Sequence, residues 1–492
     1  MNYNERLYPF GYIFSDESND NLPDNFIQLS LCDKFFYAFD SNSERLVLEN
    51  EDKFLIIHGE FMHIGVDEQF TEQGLANRLF KLYFSEHDSF LNLLDFMTGR
   101  FVIIIGDINH VRIYPDASNS RSNYYSTKKN SVSSHVFLLV DHDDYTRTIF
   151  SNELSEIKNA LIETPFNEIK STLPNFYLDF YEKNQKRFFP RKNNAYKLMS
   201  EDKKFELIER FWKSQLDYYT KKYSNLIFSL TGGGDSRFSL ALTKDYLNNI
   251  KFFTYSRTSE IDSSSPSSLG LSLDHKIVLQ MLDVLDIEHK FMFFVEDKID
   301  LSNEDNQLIS KNSIARHSSF LIPQIKENYK LKNLMHIRGN LLEIGKTRYY
   351  RNSYRESNLE EMRKVFLNRY AKNANEKNLL DANNKFDEFT VSLKYDNDIY
   401  DYHILDLYHW EVRMGRWHSE ILNTHDIVFG TISPFNHRAL IDISLSFSYE
   451  KRRDEYAFKE IINRNFPILN FFGDNELKNL YEKTRKNYKN KE

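Results

Sequence analysis

From residue 200 onward, short apolar runs alternate with amphipathic ones. That alternation restricts the chain to βαβ units around a parallel sheet. "EDKKFELIERFWKSQLDYYTKKY" places Phe205, Ile208, Phe211, Trp212 and Leu216 on one helical face. "NLIFSL" follows as a strand, then three glycines, then "SRFSLALTKDYLNN". "IKFFTYS", "HKFMFF" and "LKNLMHI" continue as strands. Between the first two of these lies a helix that the spacing starts near 273, with Ile277, Val278, Met281, Leu282 and Leu285 as its stripe. A Ser-rich loop over 257–272 precedes it. From about 355 the pattern is mainly helical, and the tail "EKTRKNYKNKE" reads as loose.

The first half has another rhythm. "RLVLE", "KFLIIHGEFM", "GRFVIIIGD", "HVRIYPDAS" and "SSHVFLLVD" read as strands, and residues 76–97 as one helix. The expected organisation is therefore a β domain over 1–195 and an α/β domain over 200–492, since 492 residues exceed one ordinary core. No run of 18 apolar residues lacks a charge, so no membrane span is expected. The opening "MNYNERLYPFGYIF" lacks the basic start and apolar centre of a secretory signal. A single cysteine, Cys32, excludes an internal disulfide and a Cys-based zinc cluster, which favours the cytoplasm. A net charge of −8 argues against general nucleic-acid binding. The 15 histidines form no metal-binding spacing.

Three of only 15 glycines stand together in "FSLTGGGDSRFSLAL". A glycine turn from strand to helix bares backbone N–H groups beside a helix N-terminus, where an anion is favoured. Gly232, Gly233 and Gly234 would let the backbone approach a phosphate, and Thr231 and Ser236 add hydroxyls. Asp235 would repel that phosphate unless a Mg²⁺ joins them. The bland alternative is a tight turn with Asp235 or Ser236 as helix cap. The stretch is neither a Walker A loop nor a G-x-G-x-x-G fingerprint. "HIRGNLLEIGKT" ends like a Walker A at Gly345-Lys346-Thr347, but five residues rather than four separate Gly339 from Gly345, so it is set aside.

Thr231-Gly232-Gly233-Gly234-Asp235-Ser236 resembles the pyrophosphate loop, S-G-G-x-D-S, of the N-type ATP pyrophosphatases, or PP-loop superfamily. Within it the chain resembles the asparagine-synthetase-like proteins. "GRFVIIIGD", "IYPDASNSRSNYYS", "VSSH", "RGNLLEIG" and "SPFNHRALIDISLSF" extend the likeness over most of the chain. The resemblance implies an Ntn-type, class II amidotransferase-like β-sandwich followed by a PP-loop synthetase domain with a helical C-terminal part. It implies an ATP-dependent, AMP-forming ligase that adenylates a carboxylate and passes it to an amine or ammonia. The ligands it implies are ATP and Mg²⁺. The carboxylate would belong to a peptide or a sugar acid. A biosynthetic-cluster protein or a second copy of the chain would be the partner, with neither nucleic acid nor membrane. By position, Ser229 and Thr231 to Ser236 would hold pyrophosphate, with Asp235 on the metal and Tyr255 and Ser256 near the adenosine.

Three departures qualify the resemblance. Glutaminase members begin with a catalytic cysteine; here Asn2 follows Met1, so no glutaminase activity is expected. Where the family has G-x-G-x-D-E, Leu342 replaces the aspartate and only Glu343 remains. Glu343 would bind Mg²⁺ or act as base toward the amine, or else pair with Arg338 or Arg348 at the surface. Where the family has P-F-L-D, this chain has Pro434-Phe435-Asn436-His437. Asn436, His437 and Arg438 are expected either to line the substrate side or to cap a helix. The family's late catalytic lysine falls on Lys459 or Lys478, with Lys459 preferred.

Asp274 and His275 read as ordinary residues at a helix start, and Trp417-His418 as a packed Trp with a satisfied His. Two rival functions stand beside the ligase. One is a degenerate homologue that binds or scaffolds without catalysis. The other is a pyrophosphatase-type transferase acting on tRNA, against which the acidic charge speaks.

Overall fold

A computed structural model describes residues 7–65, 70–141, 144–148, 157, 160–257, 266–294, 301–315, 319–329 and 333–483. It is a mixed α/β structure with two antiparallel sheets and one parallel sheet of five strands.

The strands of the first half are β1 (Tyr12–Ser15), β2 (Phe26–Leu31), β3 (Phe35–Asp40), β4 (Arg45–Asn50), β5 (Lys53–His63), β6 (Met97–Asp107), β7 (Val111–Pro115), β8 (Tyr124–Ser126), β9 (Ser131–Ser133), β10 (Ile169–Ser171), β11 (Phe176–Asp179) and β12 (Gln185–Arg187). One sheet runs β10-β8-β9-β1-β3-β2, the other β12-β11-β7-β6-β5-β4. Period-two alternation explains how they pack. Phe54, Ile56, Val102 and Ile104 face Tyr12, Phe14, Phe35 and Tyr37 of the other sheet. Their neighbours Leu55, Ile57, Ile103 and Ile105 join the helices on the outer face. β5 and β6 are thus buried on both sides, which is why they read as continuous apolar runs.

Helices α1 (Glu72–Ser85) and α2 (His87–Asp95) replace the single helix expected over 76–97; the chain turns at Glu86, whose backbone is non-helical. The run "VFLLV" is not a strand. Only Ser131–Ser133 pairs, and Val136–Val140 forms α3, which buries Val136, Leu138 and Leu139. A short apolar run fits a buried helix as well as a strand.

The parallel sheet comprises β13 (Leu226–Ser229), β14 (Ile250–Arg257), β15 (His289–Phe294), β16 (Met335–Ile337) and β17 (Gly430–Ile432), in the order β15-β14-β13-β16-β17. Helices α4 (Glu201–Lys222), α5 (Gly234–Leu242) and α6 (Pro266–Leu282) flank it. The expected α4 face is buried throughout. α6 begins at Pro266, not near 273, so part of the Ser-rich segment is helical; residues 258–265 lie outside the described residues, as does the tail beyond 483. No helix among the described residues is long and apolar enough to cross a membrane.

Candidate functional site

The strand order reverses between β13 and β16, because β14 and β15 lie to one side of β13 and β16 and β17 to the other. A crevice opens at the carboxyl ends of strands at such a switch point. A cavity of about 330 Å³ lies there, lined by Ser229 at the end of β13, Thr231 and Gly233 to Ser236 after it, Tyr255 of β14, and Gly339, Asn340, Glu343 and Lys346 after β16.

The glycine loop joins β13 to α5. Thr231 N–H donates to Ser236 Oγ at 3.1 Å, and Ser236 Oγ donates back to Thr231 O at 2.9 Å. Gly232 N–H donates to Asp274 Oδ1 at 2.8 Å. Asp274 thus sits inside α6 as an anchor of the loop, not at a helix start. Burial pushes its carboxyl up to about 6, against the Gly232 hydrogen bond. Arg237, also buried, donates to Gly232 O at 3.0 Å and to Leu469 O and Phe472 O, tying the C-terminal segment over the loop.

The three glycines serve two purposes. A Cβ at Gly232 would come within 2.7 Å of Ile277 Cδ1, so the first glycine is needed for packing against α6. A Cβ at Gly233 or Gly234 would meet nothing closer than 3.6 and 3.4 Å, on the side of the cavity. Gly233 caps α5 without a side-chain bond. The first N–H groups of that helix therefore have neither an intrahelical acceptor nor a capping side chain. Neither Asp235 nor Ser236 is the cap.

Asp235 stands in the first turn of α5. Lys346 Nζ lies 2.7 Å from its Oδ1 and 3.1 Å from Glu455 Oε2. Burial, with Lys346 opposing it, moves the Asp235 carboxyl up to about 6, and Glu343 and Glu455 push the same way. Burial presses on the Lys346 ammonium in the opposite sense, but Asp235 and Glu455 outweigh it and hold it above the ordinary lysine range. Arg351 donates to Glu455 at 2.7 Å from the rim. Arg452 is buried, pairs with Asp406 at 2.7 Å and donates to Gly345 O at 3.2 Å, fixing the turn that carries Lys346. Lys346, Arg348 and Arg351 face Asp235, Glu343 and Glu455 across the cavity, while Arg452 and Arg453 on the same wall are paired with Asp406 and Asp454. Buried Thr347 Oγ1, also on its wall, has no hydrogen-bond partner among the described residues.

Lys346, Glu455, Arg348 and Arg351 were absent from the sequence-based set. The traces were Arg348, offered only as a surface partner of Glu343, and Gly345-Lys346-Thr347, set aside on spacing. That spacing does exclude a P-loop, because Asn340–Gly345 forms a 3₁₀ turn that carries Lys346 to the glycine loop of another strand.

Other expected residues lie elsewhere. Lys459 is not on the cavity wall; its Nζ donates to Asp454 O at 2.7 Å at the surface. Lys478 is exposed. Ser256 is buried and donates to Leu271 O at 3.2 Å. Gly232 lies behind the loop, not on the cavity wall. Asn436, His437 and Arg438 are buried in the seam between the two halves of the chain and are not on the wall of this cavity; of the two expectations, the cap position is met by His437, which precedes helix Arg438–Leu445 without a side-chain cap bond. Asn436 Nδ2 lies within hydrogen-bond distance of three acceptors, Gly99 O, Asp116 Oδ1 and Ser120 Oγ, which share its two hydrogens. The His437 ring packs on Phe96 and Phe211, and Arg438 donates to Pro115 O at 3.0 Å. His418 is buried, but neither ring nitrogen has a partner among the described residues, contrary to a satisfied histidine. Trp417 carries the Arg413 guanidinium 3.7 Å over its ring.

Glu343 lines the cavity mouth with its side chain 35% exposed, 3.9 Å from His409 Nε2. His409 is held down to about 3 by burial and the guanidinium of Arg348, so the pair carries no charge–charge attraction at neutral pH. Glu343 pairs with neither Arg338 nor Arg348; Arg338 donates to Asn340 at 2.9 Å. Leu342 is fully buried. Among the described residues no group of three or more His, Cys, Asp or Glu could hold a metal ion.

No protein-family model matches the chain, and no curated protein sequence matches it. Among solved structures, it is similar to an allosteric regulatory enzyme of purine biosynthesis, with 9% identity, 63% of this chain and 73% of that chain covered and a TM-score of 0.24. It is also similar to glutamine phosphoribosylpyrophosphate amidotransferase from B. subtilis complexed with ADP and GMP, with 11% identity, 58% and 66% coverage and a TM-score of 0.23.

Proposed function

We propose that the chain is an ATP-dependent, AMP-forming ligase that activates a carboxylate and passes it to an amine or ammonia. The observation that carries this reading is the uncapped, glycine-faced N-terminus of α5 at the switch point of the parallel sheet, with Lys346 beside it. In the proposed reaction a substrate carboxylate oxygen bonds to the α-phosphorus of ATP while the bond to pyrophosphate breaks. The N–H groups of the first turn of α5, the Ser236 hydroxyl and Lys346 hold the departing pyrophosphate, stabilising charge as it builds. The amine then attacks the acyl carbon and AMP leaves. Glu343, half-exposed at the mouth, accepts the amine's proton.

Asp235 would hold the Mg²⁺, whose charge would offset that of the pyrophosphate, and Glu343 stays free as the base. The orphaned Thr347 hydroxyl and the clear space beside Gly233 and Gly234 fit a phosphate ligand. Lys346 sits on the carboxylate that the metal would take, so the two cations compete for Asp235.

We read the N-terminal antiparallel sheets as an amidotransferase-like domain without glutaminase chemistry. Burial, and then Glu49, raise the Cys32 thiol to about 11, so it is no thiolate nucleophile.

A second reading, a nucleotide-binding protein without catalysis, is favoured by Leu342 in the core where the family has a carboxylate. Thermal unfolding with Mg·ATP, followed by pyrophosphate release with panels of acids and amines, separates the two. Binding saturating at about 100 times Kd adds about 2.7 kcal/mol. Stabilisation lost in Asp235→Ala supports the nucleotide site, and pyrophosphate release supports the ligase. No stabilisation of folded wild type sinks both.

A further inference from the structure

Behind Arg452 lies a second cavity, of about 590 Å³, which shares that side chain with the cavity at the glycine loop. Its walls come from the start of α4, from Tyr350 and Tyr354, and from the segments at 401–406 and 445–451. Three ion pairs on these walls are balanced within themselves: Lys197 with Asp401 at 2.9 Å, Arg452 with Asp406 at 2.7 Å, and Lys451 with Glu201. Lys204 is the cation left over.

Lys204 is only 4% exposed. Among the described residues it has no carboxylate within ion-pair distance. Its Nζ reaches Ser446 O at 3.4 Å and stands 4.9 Å over the Phe447 ring. Burying an ammonium without an ion-paired carboxylate is unfavourable; burial lowers its pKa here, opposed only by nearby Glu201, which is itself paired with Lys451. Ser200, on the same wall, caps α4 without a side-chain bond, so the first N–H groups of a 22-residue helix add to the preference for an anion. The acids of that first turn have cations of their own, Glu201 in Lys451 and Asp202 in Arg464 at 3.1 Å.

The same cavity has an aromatic wall. Tyr350 is sandwiched between His403, at 4.3 Å and 9°, and Tyr449, at 5.4 Å and 14°. Tyr354 stands edge-on to all three rings, yet is 61% exposed. A ring held by three others and open to solvent is a preorganised stacking face.

We propose that this cavity is a second small-molecule site and takes a ring-bearing carboxylic acid, with its ring against Tyr354 and its carboxylate on Lys204. One unmatched ammonium calls for one negative charge, which favours a carboxylate over a phosphate dianion. The site needs no nucleotide, so it stands or falls apart from the ligase reading.

The test is saturation-transfer NMR on the full chain with benzoate and D-glucuronate, against benzyl alcohol and D-glucose as uncharged counterparts. At least one acid is expected to bind below about 10 mM, its counterpart about tenfold more weakly. Lys204→Met should weaken the acid about tenfold and Tyr354→Ala about threefold, while Asp235→Ala leaves it unchanged. Tyr354 is exposed, so its variant keeps the test alive if Lys204→Met fails to fold. The proposal is overturned if neither acid binds by about 10 mM, if the uncharged compounds bind as well, or if the folded variants bind like wild type. Phenyl phosphate binding more tightly than either acid would overturn the carboxylate assignment.

Discussion

Lys346 Nζ bridges Asp235 Oδ1 at 2.7 Å and Glu455 Oε2 at 3.1 Å, so one ammonium joins the first turn of α5 to the residue that precedes helix Tyr456–Asn465. Removing it leaves two carboxylates facing one another in a partly buried site. Lys346→Met is expected to destabilise the fold by about 2 kcal/mol in urea unfolding. It should also abolish the rise in Tm with Mg·ATP. Stability like wild type would show that the bridge is energetically idle.

The glycines separate packing from binding. Gly232→Ala forces a Cβ to 2.7 Å from Ile277 and should cost about 1–3 kcal/mol. Gly234→Ala has room, and an alanine in a helical turn should leave stability unchanged or raise it by up to about 1 kcal/mol. Its methyl group lies on the cavity side, so stabilisation by Mg·ATP should fall at least about tenfold in apparent affinity. Chemical denaturation and nucleotide titration of both variants check the pair; nucleotide affinity unaffected in Gly234→Ala would remove the phosphate from that face.

Nucleotide binding should follow the ionisation of Asp235. Its folded carboxyl is raised to about 6, above an unfolded value near 3.8. The folded state therefore holds this proton more tightly, and this group's stabilisation is present below the unfolded value and lost as pH rises through about 6. A ligand that needs the carboxylate shows the reverse trend. The Mg·ATP-induced Tm rise is expected to grow between pH 5 and pH 7 with its midpoint near 6. The midpoint should vanish in Asp235→Asn. A pH-independent rise would take Asp235 out of the site.

Asn436 and His437 predict seam behaviour rather than catalysis. Asn436→Ala removes a donor from Gly99 O and from Asp116 Oδ1, which keeps the Ser118 and Ser120 amides, and should cost about 1 kcal/mol without changing nucleotide affinity. His437 is held down to about 3 by burial. Its contribution to stability is complete above the unfolded value of 6.5 and is lost as pH falls toward 3, by about 1.4 kcal/mol per pH unit at most. His437→Phe should reduce the slope of stability against pH between 6 and 4 by about one proton. An unchanged slope would mean that the imidazole is not held neutral.

The apolar pattern alone placed α4, by its helical spacing, and β5, β6 and β13, as short apolar runs rich in β-branched and aromatic residues and bounded by turn signals. It also placed the glycine loop between a strand and a helix, since three adjacent glycines bar either element from continuing through them. It failed at "VFLLV", where five apolar residues carry no period. The cavity was half legible: Thr231 to Ser236 and Tyr255 are local to two strand ends, and Glu343 follows a third. The rest was settled by tertiary contact. The reversal of strand order brings Lys346 from the turn after β16 onto Asp235 after β13, 111 positions back in the chain and on a neighbouring strand. Glu455 reaches the same ammonium through a helix end, and no local spacing encodes that meeting. Asn436, His437 and Arg438 show the converse. Their polarity suggests a site, yet they are consumed in a buried seam whose acceptors come from the other half of the chain. Polarity is written in the sequence, but which polar atoms find partners is decided only when distant strands close on one another.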